Sequence, residues 1–325
     1  MENTKEPILK VENLCKTYRA KTKTIKAVNN ISFEGNKGEI FGILGPNGSG
    51  KTTTVKSIAT IIYYDSGTII VDGYDNKKHQ NLVKQRIGAV LEGSRNIYWR
   101  LTPEENMIYF AGLKGLSKKD VRSNIEYFLE TLDLKDVRNK QVREFSKGMQ
   151  QKVAVACAFI TDPKIILLDE PTLGLDVETS RQMQVWIKKI AKEKDAFILI
   201  TSHDMRFVEN VCEKVAIIKD GKIIIKDTIN NLKKFFIKKV YKIILSEDLD
   251  NIQKEKLKES YVVRFEKDKD DFIIYLTIDD DSFLYDIFSI LAIKKQIIKS
   301  IEIENDDFED VFLEIIHKNG VKDEK

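Results

Sequence analysis

The stretch Gly45-Pro46-Asn47-Gly48-Ser49-Gly50-Lys51-Thr52 follows the pattern G-x-x-x-x-G-K-T, which is typical of loops that bind nucleotide phosphates. The glycines let consecutive backbone N–H groups curve around an anion without a Cβ clash. In that pattern the Lys51 ammonium reaches the β- and γ-phosphates, and the Thr52 hydroxyl can bind Mg²⁺. We therefore predict a phosphate loop at residues 45–52, with Thr53 belonging to the same nucleotide site at the start of a helix.

The residues on both sides of the loop support this prediction. Gly38–Leu44 is a short apolar run that predicts a buried strand. After the loop, Val55, Ile58 and Ala59 recur at the spacing of one helix face. An ordinary glycine-rich turn between a strand and a helix is the alternative, but such a turn does not require Lys and Thr at this offset.

Composition and charge restrict the class of protein. With 325 residues, 32% charged and 42% hydrophobic, the chain has the composition of a soluble globular protein with one large and one small domain. No apolar run is long enough to cross a bilayer, and the N-terminus does not resemble a signal peptide. The three cysteines are far apart, which indicates free thiols in a reducing cytoplasm.

The charge differs between the two parts of the chain. Residues 1–230 carry 37 Lys/Arg against 29 Asp/Glu, whereas residues 231–325 carry 17 against 22. The basic excess coincides with the predicted phosphate loop, as an anionic ligand would favour. It is too small to indicate a nucleic-acid partner, and the sequence shows neither zinc-ligand spacing nor an RNA-binding aromatic pattern.

Periodicity predicts the remaining elements of residues 1–230. Strands are expected at 8–18, 25–34 and 67–73, and helix from Thr102 to about Leu132, with a second N-terminus where Ser117–Asp120 resembles a capping box. The continuous apolar runs at 165–168 and 197–200 are separated by a helix, which favours a parallel sheet covered on both faces.

The pattern changes near residue 230, where we predict a domain boundary that separates residues 1–230 from residues 231–325. In the second part, strands and helices alternate, and a small α+β domain with helices on one face of a sheet is expected. The predicted strands are 241–245, 261–266, 272–278 and 297–303, and the predicted helices are 248–258, 283–295 and 308–317.

Two acidic residues follow the apolar run at 165–168. Asp169 and Glu170 therefore lie at the carboxyl end of a parallel strand, where open sheets bind ligands. Asp169 can hold Mg²⁺, and Glu170, which alternation directs to the other side, can polarise a water for attack on the γ-phosphate. A solvated acidic strand end is the alternative.

Together these motifs resemble the ATP-binding subunits of ABC transporters over residues 8–230. The resemblance implies a P-loop NTPase fold of the ABC ATPase type, α/β with an antiparallel β subdomain and a helical subdomain. Tyr18 is similar to the aromatic residue that stacks on adenine, and His203, after an apolar strand, to the histidine that senses the γ-phosphate. Asp176 resembles the residue of the loop that crosses to the other subunit.

Phe145–Gln151 resembles the signature loop of the family, with Phe, Lys and Met where the usual pattern Leu-Ser-Gly-Gly-Gln has Leu, Gly and Gln. Glu92 stands where the family usually has a Gln that reaches Mg²⁺. Glu at this place, followed by Arg-Asn-x-Tyr-Trp-Arg, is similar to drug, antibiotic and polysaccharide exporters of the ABC-2 type, as is the closing segment Asp307–Glu314. The signature-loop residues implied to contact ATP of the other subunit are Ser146, Lys147, Gly148, Met149 and Gln150.

The resemblance implies a mechanism and partners. Two copies of the chain would bury two ATP molecules with Mg²⁺, and hydrolysis by a water that Glu170 activates would loosen the dimer. Separate membrane-spanning permease subunits would use this motion, with the chain at the cytoplasmic face of the membrane. Two alternatives are a soluble ABC-type ATPase of translation or chromosome maintenance, and a nucleotide-dependent regulator with a vestigial ATPase.

Overall fold

A computed structural model describes residues 6–19, 24–93, 96–236, 239–268, 271–278, 283–294 and 296–305. The chain divides into two compact units, Met1–Ile229 and Asn230–Lys325. Within the described ranges, none of the helices combines the length and the apolar character that a membrane span requires.

The first unit is built on a six-stranded sheet. In sheet order its strands are β10 (Lys222–Thr228), β9 (Lys214–Lys219), β3 (Ile40–Leu44), β8 (Phe197–Ser202), β7 (Ile165–Asp169) and β6 (Ile87–Val90). All are parallel except β10, which pairs with β9 in the antiparallel direction. Every residue of β3 and β7 is buried. The predicted parallel sheet is therefore confirmed, with Ile165 opposite Phe197.

A second, antiparallel sheet packs against the first in the same unit. Its strands, in sheet order, are β2 (Thr24–Gly35), β1 (Leu9–Arg19), β4 (Ser66–Val71) and β5 (Tyr74–Asp75). The two sheets share one apolar core, in which the Phe33 ring stacks on Phe41 with 5.2 Å between centroids. This sheet is the expected antiparallel β subdomain.

The helices of the first unit are α1 (Lys51–Ile58), α2 (Gln80–Arg86), α3 (Pro103–Leu113), α4 (Arg122–Thr131), α5 (Lys147–Phe159), α6 (Val177–Lys194) and α7 (Met205–Val211). Helix α3 packs against both α4 and α5. Each helix buries apolar side chains, such as Met107, Phe128 and Phe159, and the centroids of the two Phe rings lie 6.1 Å apart between α4 and α5. This arrangement is the expected helical subdomain.

The predicted capping box at Ser117 is wrong. The Asp120 carboxylate accepts hydrogen bonds from the Ser117 N–H at 2.8 Å and from its hydroxyl at 2.7 Å, but the Asp120 N–H donates to the Ser117 carbonyl at 3.1 Å. These contacts close a tight turn, and α4 begins only at Arg122. The capping box lies at the start of α3, where Thr102 and Glu105 bond reciprocally.

The thiols of the first unit form no disulfide. Cys157 and Cys212 are buried, and Cys15 is half-buried. Burial raises the pKa of the Cys157 and Cys212 thiols well above the usual range. Both therefore remain protonated and act as small apolar side chains.

Helix α8 (Ile229–Phe236) leads into the second unit. Its further elements are β11 (Lys239–Leu245), α9 (Asn251–Ser260), β12 (Val262–Asp268), β13 (Asp271–Ile278), α10 (Phe283–Ala292) and β14 (Ile298–Asn305). The sheet order β12-β13-β11-β14, antiparallel throughout, is that of a split βαβ unit. Ile243 and Ile274 of the sheet are buried with Leu257 of α9 and Ile287 of α10 in one core. The helix predicted at 308–317 lies outside the described residues.

Candidate active site

The phosphate loop joins β3 to α1. Gly48 and Gly50 have positive φ angles of 81° and 106°. A Cβ on Gly50 would lie 2.2 Å from the Ala27 carbonyl oxygen, and one on Gly45 would lie 2.3 Å from that of Ile218. A side chain at Gly45 or Gly50 would therefore clash with the backbone. Helix α1 has no side-chain cap, so its first N–H groups can serve an anion.

Lys51, the first residue of α1, folds back over the loop. Its Nζ donates hydrogen bonds to the carbonyl oxygens of Gly45 at 2.8 Å and Pro46 at 3.2 Å. The same Nζ lies 3.4 Å from Glu170 Oε1, and the two side chains are only 6% and 7% exposed. The buried Lys51 ammonium thus lies inside the curve of the loop, where it can bind phosphate oxygens.

Asp169 ends β7 next to this loop. Its Oδ1 accepts hydrogen bonds from the Thr52 hydroxyl, at 3.1 Å, and from the Thr201 hydroxyl of β8. Its Oδ2 is buried without a hydrogen-bond partner among the described residues. The predicted pair of Thr52 and Asp169 is therefore brought together, with one carboxylate oxygen left over. Sequence reasoning missed Thr201, although a hydroxyl at the end of the neighbouring strand is a signal for it.

Glu170 does not point away from Asp169, as strand alternation predicted. Its φ angle is +50°, so the strand geometry ends before it, and its N–H donates to the Thr201 carbonyl at 3.0 Å. The turned side chain reaches Lys51 with Oε1 and His203 Nδ1 with Oε2, the latter at 2.9 Å. Both carboxylates consequently face the phosphate loop.

The site fits a nucleotide with a hard cation. The Ser49 hydroxyl, Asp169 Oδ2 and Glu170 Oε1 are buried and lack a hydrogen-bond partner in the described part of the chain. Nowhere among the described residues do three acidic, His or Cys side chains converge as a complete metal site. A partial set of oxygen donors suits Mg²⁺, which usually keeps water and substrate phosphates in its coordination shell.

Glu92 follows β6 and lies at the same edge of the sheet. Together with Lys51, Thr52 and Glu170, it lines a cavity of about 260 Å³ in front of the phosphate loop. Its turn is held by Asn96, whose Oδ1 accepts from the Leu91 N–H at 3.0 Å and whose Nδ2 donates to the Leu91 carbonyl at 2.6 Å. Asn96 is the Asn of the motif Arg-Asn-x-Tyr-Trp-Arg, but the sequence pattern did not indicate that its side chain holds this turn. The remaining residues lining this cavity are Ala27, Asn47, Gly48, Gly50 and Thr53.

The signature loop begins α5. Ser146 is the N-cap, and its hydroxyl accepts a hydrogen bond from the Met149 N–H at 3.3 Å. Gly148 packs so closely on Thr179 that a Cβ would lie 2.6 Å from its methyl group. Lys147 and Gln150 line a second cavity that Glu92, Asp169 and Glu170 also line. One face of α5 therefore lies beside the carboxylate edge of the sheet.

Two further predicted site residues lie apart from these cavities. Asp176 is the N-cap of α6 and accepts hydrogen bonds from the N–H and the hydroxyl of Thr179, both at 2.8 Å. The backbone N–H of Thr179 lowers the pKa of Asp176. Tyr18 of β1 is 42% exposed, with Lys16 Nζ 5.4 Å from its ring centre. Neither residue lines the two cavities described above.

Comparison with known proteins identifies the family. The profile of the family described as "ABC transporter" matches residues 28–173. The ABC transporter ATP-binding protein NatA of Bacillus subtilis is 41% identical over 215 residues, which are 66% of this chain and 87% of NatA. The chain belongs to the ABC transporter ATP-binding subunits. The predicted family, the ATPase activity, the role in transport and ATP as the bound nucleotide are thereby confirmed.

Other relatives of this ABC subunit carry names that record different roles. The linearmycin resistance ATP-binding protein LnrL of Bacillus subtilis is 34% identical, covering 69% of this chain and 70% of LnrL. The methionine import ATP-binding protein MetN 1 of Listeria monocytogenes is 29% identical, covering 68% of this chain and 67% of MetN 1.

Solved structures show the same fold. A dimeric, post-hydrolysis structure of the ATP-binding cassette MJ0796 with ADP and Pi is similar with a TM-score of 0.61 and 27% identity, covering 68% of this chain and 98% of that one. The predicted ABC ATPase fold is confirmed. Dimers therefore occur among the cassettes that this subunit resembles.

Proposed function

We propose that this chain hydrolyses ATP between two copies of itself and thereby powers export through separate membrane-spanning subunits. The observation that carries the proposal is the position of Glu170, a buried carboxylate held between Lys51 of the phosphate loop and His203. A base at the edge of a phosphate loop is placed to take the proton of an attacking water.

The phosphate loop supplies the ground-state binding. The backbone N–H groups of the loop, which Pro46 lacks, and of Thr53 surround the phosphates, and Lys51 exchanges its two carbonyl contacts for phosphate oxygens. Tyr18 stacks on the adenine ring in this proposal. Its exposed ring on β1 is available for such a contact.

Thr52 and Asp169 are the residues that hold Mg²⁺ in the proposed site, with Glu92 as a further oxygen donor. Asp169 Oδ2, buried and without a hydrogen bond, supports this assignment. When bound, the ion neutralises negative charge on the phosphate oxygens. The Thr201 hydroxyl keeps Asp169 in place by donating to the other carboxylate oxygen.

Glu170 is the proposed catalytic base. It accepts a proton from water as the water oxygen bonds to the γ-phosphorus, and the bond from that phosphorus to the bridging oxygen breaks to leave ADP and phosphate. His203 Nδ1 holds Glu170 Oε2 at 2.9 Å and so orients the carboxylate toward the loop. The exposed position of His203, 47% accessible, leaves its other edge free for the γ-phosphate.

The second copy supplies the signature loop, residues 146–150. Ser146 and Gly148 stand at the N-terminus of α5, where N–H groups favour an anion. Asp176 lies on the loop that crosses between the copies in this proposal. The dimeric MJ0796 cassette supports such an assembly.

Export is favoured over import by two observations. LnrL, whose name records linearmycin resistance, is 34% identical to this chain, whereas the methionine import proteins MetN are 29% and 32% identical. Glu92 and the aromatic segment after it resemble ABC-2 exporters. The side chains of Tyr98 and Trp99, about half exposed, offer a surface for the permease at the cytoplasmic face of the membrane.

The test is Glu170→Gln in the full chain. The amide keeps the shape of the side chain but cannot accept the proton, so we expect ATP binding to persist while phosphate release falls by roughly 100-fold or more. Because ATP is then not consumed, the variant should accumulate as an ATP-bound dimer in size-exclusion chromatography with Mg·ATP.

Glu130→Gln, an exposed change on α4, is the matched control and should behave as the wild type. Wild-type phosphate release from the Glu170→Gln variant would remove Glu170 from the catalytic role. A Glu170→Gln protein that binds Mg·ATP but stays monomeric would contradict the proposed dimer.

A further inference from the structure

Helix α3 carries a polar residue where a helix normally buries an apolar one. Asn106 is fully buried. Its Oδ1 accepts from the Tyr98 N–H at 2.7 Å, and its Nδ2 donates to the carbonyl oxygens of Tyr98 and Thr102, both at 3.0 Å. The Asn106 amide therefore binds both the N–H and the carbonyl oxygen of Tyr98. Because Asn106 is buried, leaving these polar groups without a partner would be costly.

The segment of residues 96–101, which contains Tyr98, makes hydrogen bonds to other parts of the chain at both ends. At its beginning, the Asn96 side chain closes the turn that carries Glu92. At its end, the Trp99 carbonyl accepts from the Arg143 N–H at 2.8 Å, and the Leu101 carbonyl accepts from the Val142 N–H at 3.0 Å. We call residues 96–101 the bridge segment.

Val142 and Arg143 belong to a single helical turn, Val142–Glu144, that stops two residues before Ser146. The bridge segment thus connects the turn of Glu92 to the main chain that leads into the signature loop. Two kinds of contact hold the bridge segment on the side of α3. The half-exposed Tyr98 ring packs against Tyr109, with 4.6 Å between ring centroids and 3.0 Å between the two hydroxyls. The buried contact is made by Asn106, which bonds both backbone groups of Tyr98.

We propose that Asn106 is a positioning residue that makes the Glu92 turn and the signature loop move as one body. This inference rests on the proposed function, in which Glu92 lies at the nucleotide of its own subunit and Ser146 at the nucleotide of the partner copy. Through the bridge segment, a change at Glu92 on ATP binding reaches Ser146 by a short path of hydrogen bonds. Asn106 touches neither nucleotide.

The test compares Asn106→Leu with Asn106→Asp in the full chain. Leucine removes all three hydrogen bonds at similar volume. Aspartate keeps an acceptor for the Tyr98 N–H and, in its protonated form, can donate to one of the two carbonyl oxygens that Nδ2 now reaches. We expect the ATP dissociation constant to stay within about twofold, because the phosphate loop is untouched, and kcat to fall by roughly 10- to 100-fold for leucine and less for aspartate.

Hydrogen–deuterium exchange gives a readout that a merely structural role would not move. In the wild type, Mg·ATP should slow amide exchange in residues 141–150. In Asn106→Leu that response should be lost, although the protection of α1 by Mg·ATP persists. Asn124→Leu is the matched control, because Asn124 of α4 also donates to a backbone carbonyl, that of Ile160 at 3.0 Å, outside the bridge segment.

The outcomes separate the two hypotheses. Asn106→Leu responding to Mg·ATP as the wild type does, or Asn124→Leu losing kcat equally, would overturn the role of Asn106 and leave the proposed function standing. A wild type whose residues 141–150 do not respond to Mg·ATP would overturn both. If Asn106→Leu fails to fold, the same criteria apply to Asn106→Asp.

Discussion

The buried pair of Lys51 and Glu170 shows how single residues of the site depend on one another. Their charged atoms are 3.4 Å apart, and both side chains are more than nine-tenths buried. Glu170 Oε1 has no hydrogen bond in the described part of the chain, so Lys51 is what compensates its charge. The residue that binds phosphate thus also stabilises the catalytic carboxylate.

Lys51→Ala should therefore have two separable effects. It should abolish measurable ATP binding in a titration, and it should lower the free energy of unfolding by roughly 3 kcal/mol because it leaves a buried carboxylate without Lys51 and with only its contact to His203. Adding Glu170→Gln removes that charge, so the double variant should regain stability without regaining ATP affinity. If the stability changes of Lys51→Ala and Glu170→Gln simply add in the double variant, the two side chains are not paired.

At the scale of elements, Lys114 connects the end of α3 to the start of β6. Its Nζ donates to the Ile87 carbonyl at 2.7 Å. Burial lowers the pKa of Lys114 from 10.5 to about 8. Since β6 leads directly to Glu92, this contact helps to set where the turn begins. It also makes the stability of the element pair depend on pH.

The direction of this pH dependence follows from the number of protons that Lys114 binds in the folded and in the unfolded chain. Between about pH 8 and 10.5 the unfolded chain holds the Lys114 proton and the folded chain does not, so folding becomes more favourable as pH rises. Relative to Lys114→Met, the wild type should gain up to about 3 kcal/mol across this interval. Denaturant melts of both proteins between about pH 7.5 and 10 test this, and a constant difference would contradict it.

At the scale of the whole molecule, the chain has two compact units with separate cores. The nucleotide site draws all its described residues from the first unit. The second unit has its own sheet, helices and buried residues, which include Ile243 and Ile274. Each unit therefore has what a cooperative unfolding unit needs.

We expect two transitions in calorimetry of the full chain. Mg·ATP should raise the Tm of one transition only, since it binds the first unit. Ile274→Ala should lower the Tm of the other transition, because truncating a fully buried isoleucine lowers the free energy of unfolding by about 2–5 kcal/mol. A single transition that both changes shift would show that the units unfold together.

The sequence by itself determined the parts that depend on local pattern. Gly45–Thr52 predicted the phosphate loop because its residue types answer local backbone requirements, and the apolar run before Asp169 predicted the strand that delivers the carboxylates. Periodicity predicted several further strands, such as 8–18, 197–200 and 272–278, but not β9 or β10. Family resemblance supplied the roles of residues that pattern alone leaves ambiguous, such as His203.

Only the tertiary structure decided how these parts meet. The direction of Glu170 depends on a positive φ angle and on Thr201 of the neighbouring strand. The capping box belongs to Thr102 and not to Ser117, because Asp120 closes a turn on itself. The link from Asn106 to the signature loop joins segments about 40 residues apart. Such hydrogen bonds connect residues that no local pattern relates, and folding alone brings them together.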